Sequence, residues 1–431
     1  MNLTLFRAQL LASSSPTALW HVEDGALVIG EDGRIIASGP WEALPAELRS
    51  LPCTDLRPFW ILPGLVDLHT HLPQYRAVAR DGLELLPWLE THIFPAEARF
   101  RDRAFASQEA GRFFQDQLAL GTTTSVVYGS VHAEAVDAAF AEAERLGNRI
   151  ILGKVMMDCR VPPAMLESTD ASLATSEALC ETWHGRDGGR LQYAFAPRYA
   201  GSCTPELMRR TAHRAEQHGA FIQTHLSESL AEVAWMAELF PEASSYTDIY
   251  YRMGLLGPRT LLGHGIHLSP TERDVLRDRQ ATLVHCARAN AFLKSGIMPL
   301  AKWLSEGLSV GLGTDVAAGP NLSLWSEMAF ACQASRLRAV ICEEPKAAVD
   351  PLLVFHLATR GGAKALGLEA HIGGLEPGLD ADFIVVDPSF TSPAEDIQTP
   401  AQVLARLMYR EDPRMVRASH VRGRRCFTQA H

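Results

Sequence analysis

Two histidines one residue apart, His69 and His71, close the apolar run "ILPGLVDLHTHLPQY" (61–75). In a strand, residues two apart share a face, so both imidazoles address the same side. Three further β-like runs end on metal-competent groups: His225 in "AFIQTHLSE", His264 in "TLLGHG" and Asp315 in "LSVGLGTD". Imidazole nitrogen plus carboxylate oxygen suits Zn²⁺, and also Fe²⁺. No cysteine joins the set, which disfavours a structural thiolate site. An ion held there lowers the pKa of bound water from about 15.7 to about 7, which yields a hydroxide nucleophile at neutral pH. Glu228 follows His225 by three residues and is placed to move protons. Asp315 can touch the metal and accept a proton from its water, and His264 can donate to that water or to a tetrahedral intermediate. Each residue alone also has an ordinary reading, as a strand-end histidine or an acid opening the next helix. It is their shared position that points to chemistry.

That position requires a scaffold. Eight β runs, "GLVDLHTH", "TTTSVVYG", "RIILGKVMMD", "LQYAFAPR", "AFIQTHLSE", "TLLGHG", "TLVHCA" and "LSVGLGTD", alternate with helical patterns. "CTPELMRRTAHRAEQHG" offers Thr204 as N-cap, Pro205 at the first helical position and Gly219 at the end. Eight such alternations predict a (β/α)8 TIM barrel, whose sites lie at the C-terminal ends of the strands. A doubly wound open sheet is the rival, weakened by the missing G-x-G-x-x-G after the first strand. Both chain ends read as β: "GALVIGEDGRIIASGP" as a hairpin, "LEPGLDADFIVVDP" and "MVRASHVRGRRCFTQ" as late strands. The expected organisation is an α/β barrel over 61–370, with a small β-sandwich domain built from both termini, 1–60 and 371–431.

Composition excludes some classes. The 40 Lys and Arg against 50 Asp and Glu give a net charge of −10, which repels phosphate backbones, so nucleic acid is not the expected partner. No apolar run approaches the ~20 residues that span a bilayer. The N-terminus lacks a signal-peptide pattern, and the cytoplasm is the expected compartment. Eight scattered cysteines without a C-x-x-C pair read as free thiols. His92, His132, His267 and His285 fall near the barrel mouth as second-tier candidates. His213 and His218 lie on a charged helix, and Asp67 shares the face of the histidine pair.

Together these motifs resemble the amidohydrolase superfamily. Strand four ends "FAPRYAGSC" with Arg198 and no lysine, and Lys154 lies within strand three, so the chain is similar to the mononuclear H-x-x-E branch, which is rich in deaminases. Within it the stretches "HTHLPQY", "LLPWLETHIFPAE", "APRYAGSC", "QTHLSES", "FPEASSYTDIYYRMGLL" and "GLGTDVAAG" are most similar to the guanine deaminases. The resemblance implies His69, His71, His225 and Asp315 as ligands of one zinc and Glu228 as proton shuttle. It implies Gln74, Arg198 and Tyr199 as purine-holding groups and His264 at the reacting centre. It further implies deamination of guanine to xanthine by a metal-bound hydroxide, and a homodimer. One departure is "HCARAN" (285–290) where the family has His-Cys-Pro-x-Ser-Asn. Arg288 there is expected to add a cation near the mouth, which keeps 8-oxoguanine, a pterin or another heterocycle as alternative substrates. A triazine chlorohydrolase is disfavoured because Arg198 and Gln74 suit an oxo-purine edge. A non-catalytic barrel is disfavoured because every ligand is present.

Overall fold

The structure, a computed structural model, describes residues 3–391 and 399–429. The outermost residues of both terminal segments therefore lie outside the described part. Strands β1 (Thr4–Ser15), β2 (Ala18–Ile29), β3 (Ile35–Pro40) and β4 (Cys53–Pro63) come first. The barrel strands follow as β5 (Leu65–His71), β6 (Thr122–Tyr128), β7 (Arg149–Gly153) with the short β8 (Val155–Met156), and β9 (Leu191–Pro197). They continue as β10 (Phe221–Leu226), β11 (Thr260–His264), β12 (Thr282–His285) and β13 (Ser309–Leu312). β14 (Phe383–Val386), β15 (Val416–Val421) and β16 (Arg424–Thr428) end the chain.

The eight expected runs form one parallel sheet in the order β13-β12-β11-β10-β9-β7-β6-β5. β5, β6 and β7 are buried at every residue. A strand covered on both faces needs a near-continuous apolar or Thr-rich run, which is what these segments carry. Several of the helices between the strands begin at side-chain caps. Asp102 accepts from the backbone N–H of Ala104 and Phe105, and Thr204 accepts from that of Leu207. The sheet nearly closes, and the closure comes just past β13: Asp315 N–H donates to His69 O (2.8 Å) and His71 N–H to Val316 O (3.2 Å).

The two chain ends build a second, seven-stranded sheet in the order β16-β15-β14-β4-β1-β2-β3. Its β2–β3 hairpin pairs Val28 with Ala37, as the turn chemistry predicts. β1 and β4 run parallel and the other neighbours antiparallel. β4 passes through Gly64 straight into β5, so the second sheet anchors the strand that carries the histidine pair.

A buried ion cluster joins the two sheets. Arg149, at the start of β7, donates from Nη2 to Asp380 (2.7 Å) and from Nε to Asp382 (2.8 Å). All three are at most 5% exposed. Burial alone would raise the pKa of Asp380, but the Arg149 and Arg422 guanidinium groups hold it below the ordinary carboxylate value. Arg149→Met removes the shared cation and leaves two carboxylates buried. A loss of about 3 to 5 kcal/mol in unfolding free energy is expected, read from denaturant midpoints.

Candidate metal centre and reaction cavity

The four expected ligands come together at the C-terminal mouth of the barrel. His69 and His71 leave β5 on one face, and their Nε2 atoms are 3.1 Å apart. His225, near the end of β10, brings its Nε2 to 3.3 Å from that of His71. Asp315 Oδ1 lies 3.4 Å from His69 Nε2 and 3.3 Å from His71 Nε2. The fit around the His69 ring depends on missing side chains. A Cβ on Gly263 would come within 2.5 Å of the ring, and one on Gly313 within 2.6 Å of His69 Cβ. The backbone turns sharply where β11 ends and beyond β13: His264 has φ 72° and Asp315 φ 48°. Such left-handed conformations in non-glycine residues concentrate at functional sites.

These donors fit a divalent transition metal. Zinc–nitrogen bonds of 2.0–2.1 Å in a tetrahedron put neighbouring donor atoms about 3.3 Å apart. The four spacings just given, out of the six edges of a tetrahedron, are 3.1 to 3.4 Å and lie near that length. Protonation agrees. Burial pushes His71 down to about 3 and His225 well below its ordinary value, so both rings are neutral. His225 donates Nδ1–H to the Arg198 carbonyl at 2.7 Å, which leaves its Nε2 lone pair facing the other donors. Asp315 is held well below the usual carboxylate range: burial raises its pKa, but the interactions with the neighbouring His69 and His71 rings outweigh it. Neutral imidazoles and an ionised carboxylate are the forms that bind metal.

Glu228 and His264 complete the mouth. Glu228 is 3% exposed, accepts from Ser295 Oγ at 3.2 Å and has Oε2 3.4 Å from His264 Nε2. Burial, and secondly the negative Asp315, push its pKa up to about 8. His264 Nε2 lies 3.8 Å from Asp315 Oδ2, between the two carboxyl groups. Its Nδ1–H donates to Asn290 Oδ1 at 2.8 Å, which fixes the ring. Asp67 is not a ligand. It accepts from His69 N–H and Thr314 N–H (3.1 Å each) and from Thr314 Oγ1 (2.6 Å), tying β5 to the end of the barrel.

A cavity opens over these groups. Gln74, Arg198 and Tyr199 line it, as expected, and Leu85, Trp88 and Leu89 form an apolar wall. Tyr199 is 7% exposed, its ring 6.2 Å from that of Trp235. One residue escaped the sequence reading. Glu97 is 1% exposed and accepts from both Gln74 Nε2 (2.9 Å) and Arg198 Nη1 (2.6 Å). Its signal is only that of an acid inside the "PWLETHIFPAE" stretch. Asn290 was legible as the retained end of "HCARAN", but its bond to His264 was not.

The expectation for Arg288 is corrected. It sits at the second position of the short helix Ala287–Phe292, whose first two N–H groups bond to Glu327. That helix turns Asn290 inward and Arg288 outward. The Arg288 side chain donates to Asn321 Oδ1 at 2.8 Å and lines a separate surface cleft. The second-tier histidines stay outside the ligand set: His267 bonds Ser295 O (2.7 Å), and buried His285 is pushed down to about 3 by desolvation. His218 bonds Glu177 (3.2 Å), and Lys154 is buried against Glu167.

A parallel barrel with three imidazoles and an aspartate gathered at its C-terminal mouth defines a metal-centred barrel of known kind. The sequence pattern of the Amidohydrolase family matches residues 60–426, and the chain belongs to that family. It is 37% identical over 380 residues to the guanine deaminase of Escherichia coli K12, covering 87% of this chain and 84% of that one. A solved guanine deaminase from C. acetobutylicum with bound guanine superposes with a TM-score of 0.94 at 30% identity, over 99% of this chain and 100% of that one. An adenosine deaminase from Xanthomonas campestris with bound zinc superposes at 0.85 and 26% identity, over 98% and 92%.

The donor set predicts about one equivalent of transition metal per chain by elemental analysis. His71→Ala is expected to lose at least about nine-tenths of it, since metal-site affinity depends on ligand number.

Proposed function

We propose that the chain is a hydrolytic guanine deaminase, converting guanine and water to xanthine and ammonia. The observation that carries the reading is a buried acid, Glu228, beside a four-donor metal site, in a cavity whose wall offers the Arg198 and Gln74 donors. The 37% identity to the E. coli guanine deaminase supports the substrate. His69, His71, His225 and Asp315 are the ligands of one zinc ion in this reading, with Fe²⁺ as the alternative. Zinc held by them supplies Lewis acidity and, by bringing the pKa of water to about 7, a nucleophile at neutral pH.

The residues divide the remaining work. Guanine shows acceptors O6 and N7 along one edge, and Arg198 and Gln74 can donate to them. Adenine presents an amino donor there, set against the donors of Arg198 and Gln74, which discriminates against it. Tyr199 borders the ring. As water adds to C2, ionised Asp315 takes its proton and Glu228 gives one to the ring nitrogen. Glu228 then takes the proton of the new C2 hydroxyl and passes it to the amino group, which leaves as ammonia as the C2–N bond breaks. His264, 3.4 Å from Glu228 and 3.8 Å from Asp315, returns the proton held by Asp315 to Glu228 and resets the site.

The outward course of Arg288 argues against the more acidic alternatives, 8-oxoguanine and pterins. Free thiols at all eight cysteines fit a cytoplasmic enzyme of purine catabolism. Among the described residues no helix is long and apolar enough to cross a membrane. Leu337, Val340 and Ile341 expose 54%, 78% and 70% along one edge of the helix Leu324–Ile341, which supports a homodimer. Val340→Glu is expected to shift the chain to monomer in light scattering.

Steady-state assays of guanine beside 8-oxoguanine and pterin test the activity. Guanine is expected to turn over fastest, and a chain that releases no ammonia from it sinks the reading. Glu228→Gln is expected to lower kcat by about 10²- to 10⁴-fold. Because the acid form of Glu228 is the donor, kcat of the parent is expected to fall as pH rises past about 8.

A further inference from the structure

Glu97 occupies the short helix Phe94–Ala98, directly after the π-helical turn Leu89–Ile93. Its carboxylate reaches two residues distant in sequence, Gln74 and Arg198, both of which line the cavity. The opposite end of the Gln74 amide is also engaged: Ala317 N–H donates to Gln74 Oε1 at 3.2 Å. These two bonds leave the amide one orientation. Reversed, it would set its NH₂ against the Ala317 N–H and its carbonyl against the Glu97 carboxylate. The second Nε2 hydrogen of Gln74 and the remaining guanidinium hydrogens of Arg198 are therefore what this wall offers. The carboxylate also neutralises Arg198 within a buried ion pair, 3% and 1% exposed, so the cavity does not demand an anionic ligand.

We propose that Glu97 is the positioning residue that sets this site's preference for a neutral ring edge bearing acceptors, an oxo-purine, over one bearing an amino group. It acts through Gln74 and Arg198. The assignment rests on the guanine-deaminase reading and deepens it. Replacing the carboxylate by an amide frees Gln74 to turn over, and at that position the wall then offers an acceptor as readily as a donor, while Arg198 stays a donor. A site built to bond one polar edge rejects the wrong one because its own buried groups are left unpaired. Removing the group that fixes the Gln74 amide weakens that rejection.

Hypoxanthine and adenine differ at the 6-position, oxo against amino, and neither carries the 2-amino group that is hydrolysed. Calorimetric titration of both into the metal-loaded protein reads the preference without turnover. The parent is expected to favour hypoxanthine, and Glu97→Gln to cut the ratio of the two Kd values by at least about tenfold. Glu97→Asp keeps the charge with a shorter reach and is expected to lie between. If Glu97→Gln cannot be isolated folded, Glu97→Asp decides by the same ratio. Unchanged metal content and unfolding midpoint certify the variants. A ratio left at the parent value overturns the proposal, as does an equal weakening of both ligands, which marks a merely structural role. A parent without preference overturns it too. Guanine turnover by the parent is scored separately: its absence sinks the activity reading, and this assignment with it. An active parent whose variants keep the ratio sinks the assignment alone.

Discussion

The barrel closes through its own reactive mouth. The hydrogen-bonded strand order runs from β13 to β5 without a ladder between those two. The join is made by residues just beyond β13, where Asp315 and Val316 pair with the backbone of His69 and His71. The Asp67 carboxylate stitches the same seam, holding Thr314 by backbone and side chain and His69 by its N–H. Burial lifts Asp67 to about 6 even against those three hydrogen bonds. Its carboxylate is thus kept in the interior by the bonds it makes. Closing the cylinder and assembling the ligands are one event, because the same few peptide groups do both.

Around that seam the interior sorts its acids by environment. Asp315, beside two imidazoles, is held well below the usual carboxylate range, whereas burial lifts Glu228, a few ångströms off, to about 8. Two more buried carboxyl groups serve as backbone supports. Glu232 accepts the N–H of Glu228 (2.9 Å) and the Tyr246 hydroxyl (3.0 Å), and Glu327 receives the first N–H groups of the helix that carries Asn290. Burial raises them to about 7 and about 8. Tyr246 in turn meets Tyr250, whose hydroxyl donates to His225 O at 2.7 Å. The stretch "YTDIYY" therefore braces a ligand strand from behind.

Much of this was legible in the residues alone. Strands buried on both faces must be apolar runs, so all eight stood out between amphipathic helices. Metal donors at strand ends face a common mouth once the barrel is accepted, which gave His69, His71, His225, His264 and Asp315, and the family resemblance narrowed the ligands to four by leaving out His264. The hidden parts are those set by orientation across long sequence distances. Glu97 looks like any helical acid until a π turn and two partners, 23 and 101 residues away, aim it inward. Arg288 was read as facing the mouth because a motif gives spacing and not the face of a six-residue helix. The parallel pairing of β1 with β4 is likewise invisible to local pattern, since either strand could have taken an antiparallel neighbour.

The pairing of β4 with β14 has a temporal consequence. Trp60–Pro63 lie against Phe383–Val386, and Phe383 comes 320 positions after Pro63. A ribosome therefore extrudes the first two imidazoles long before it makes the strand that braces their support. Thr314, which locks onto Asp67 across 247 positions, also emerges late. The four-donor set is complete only once Asp315 has been made, and a chain ending before it owns three of the four donors without the carboxylate.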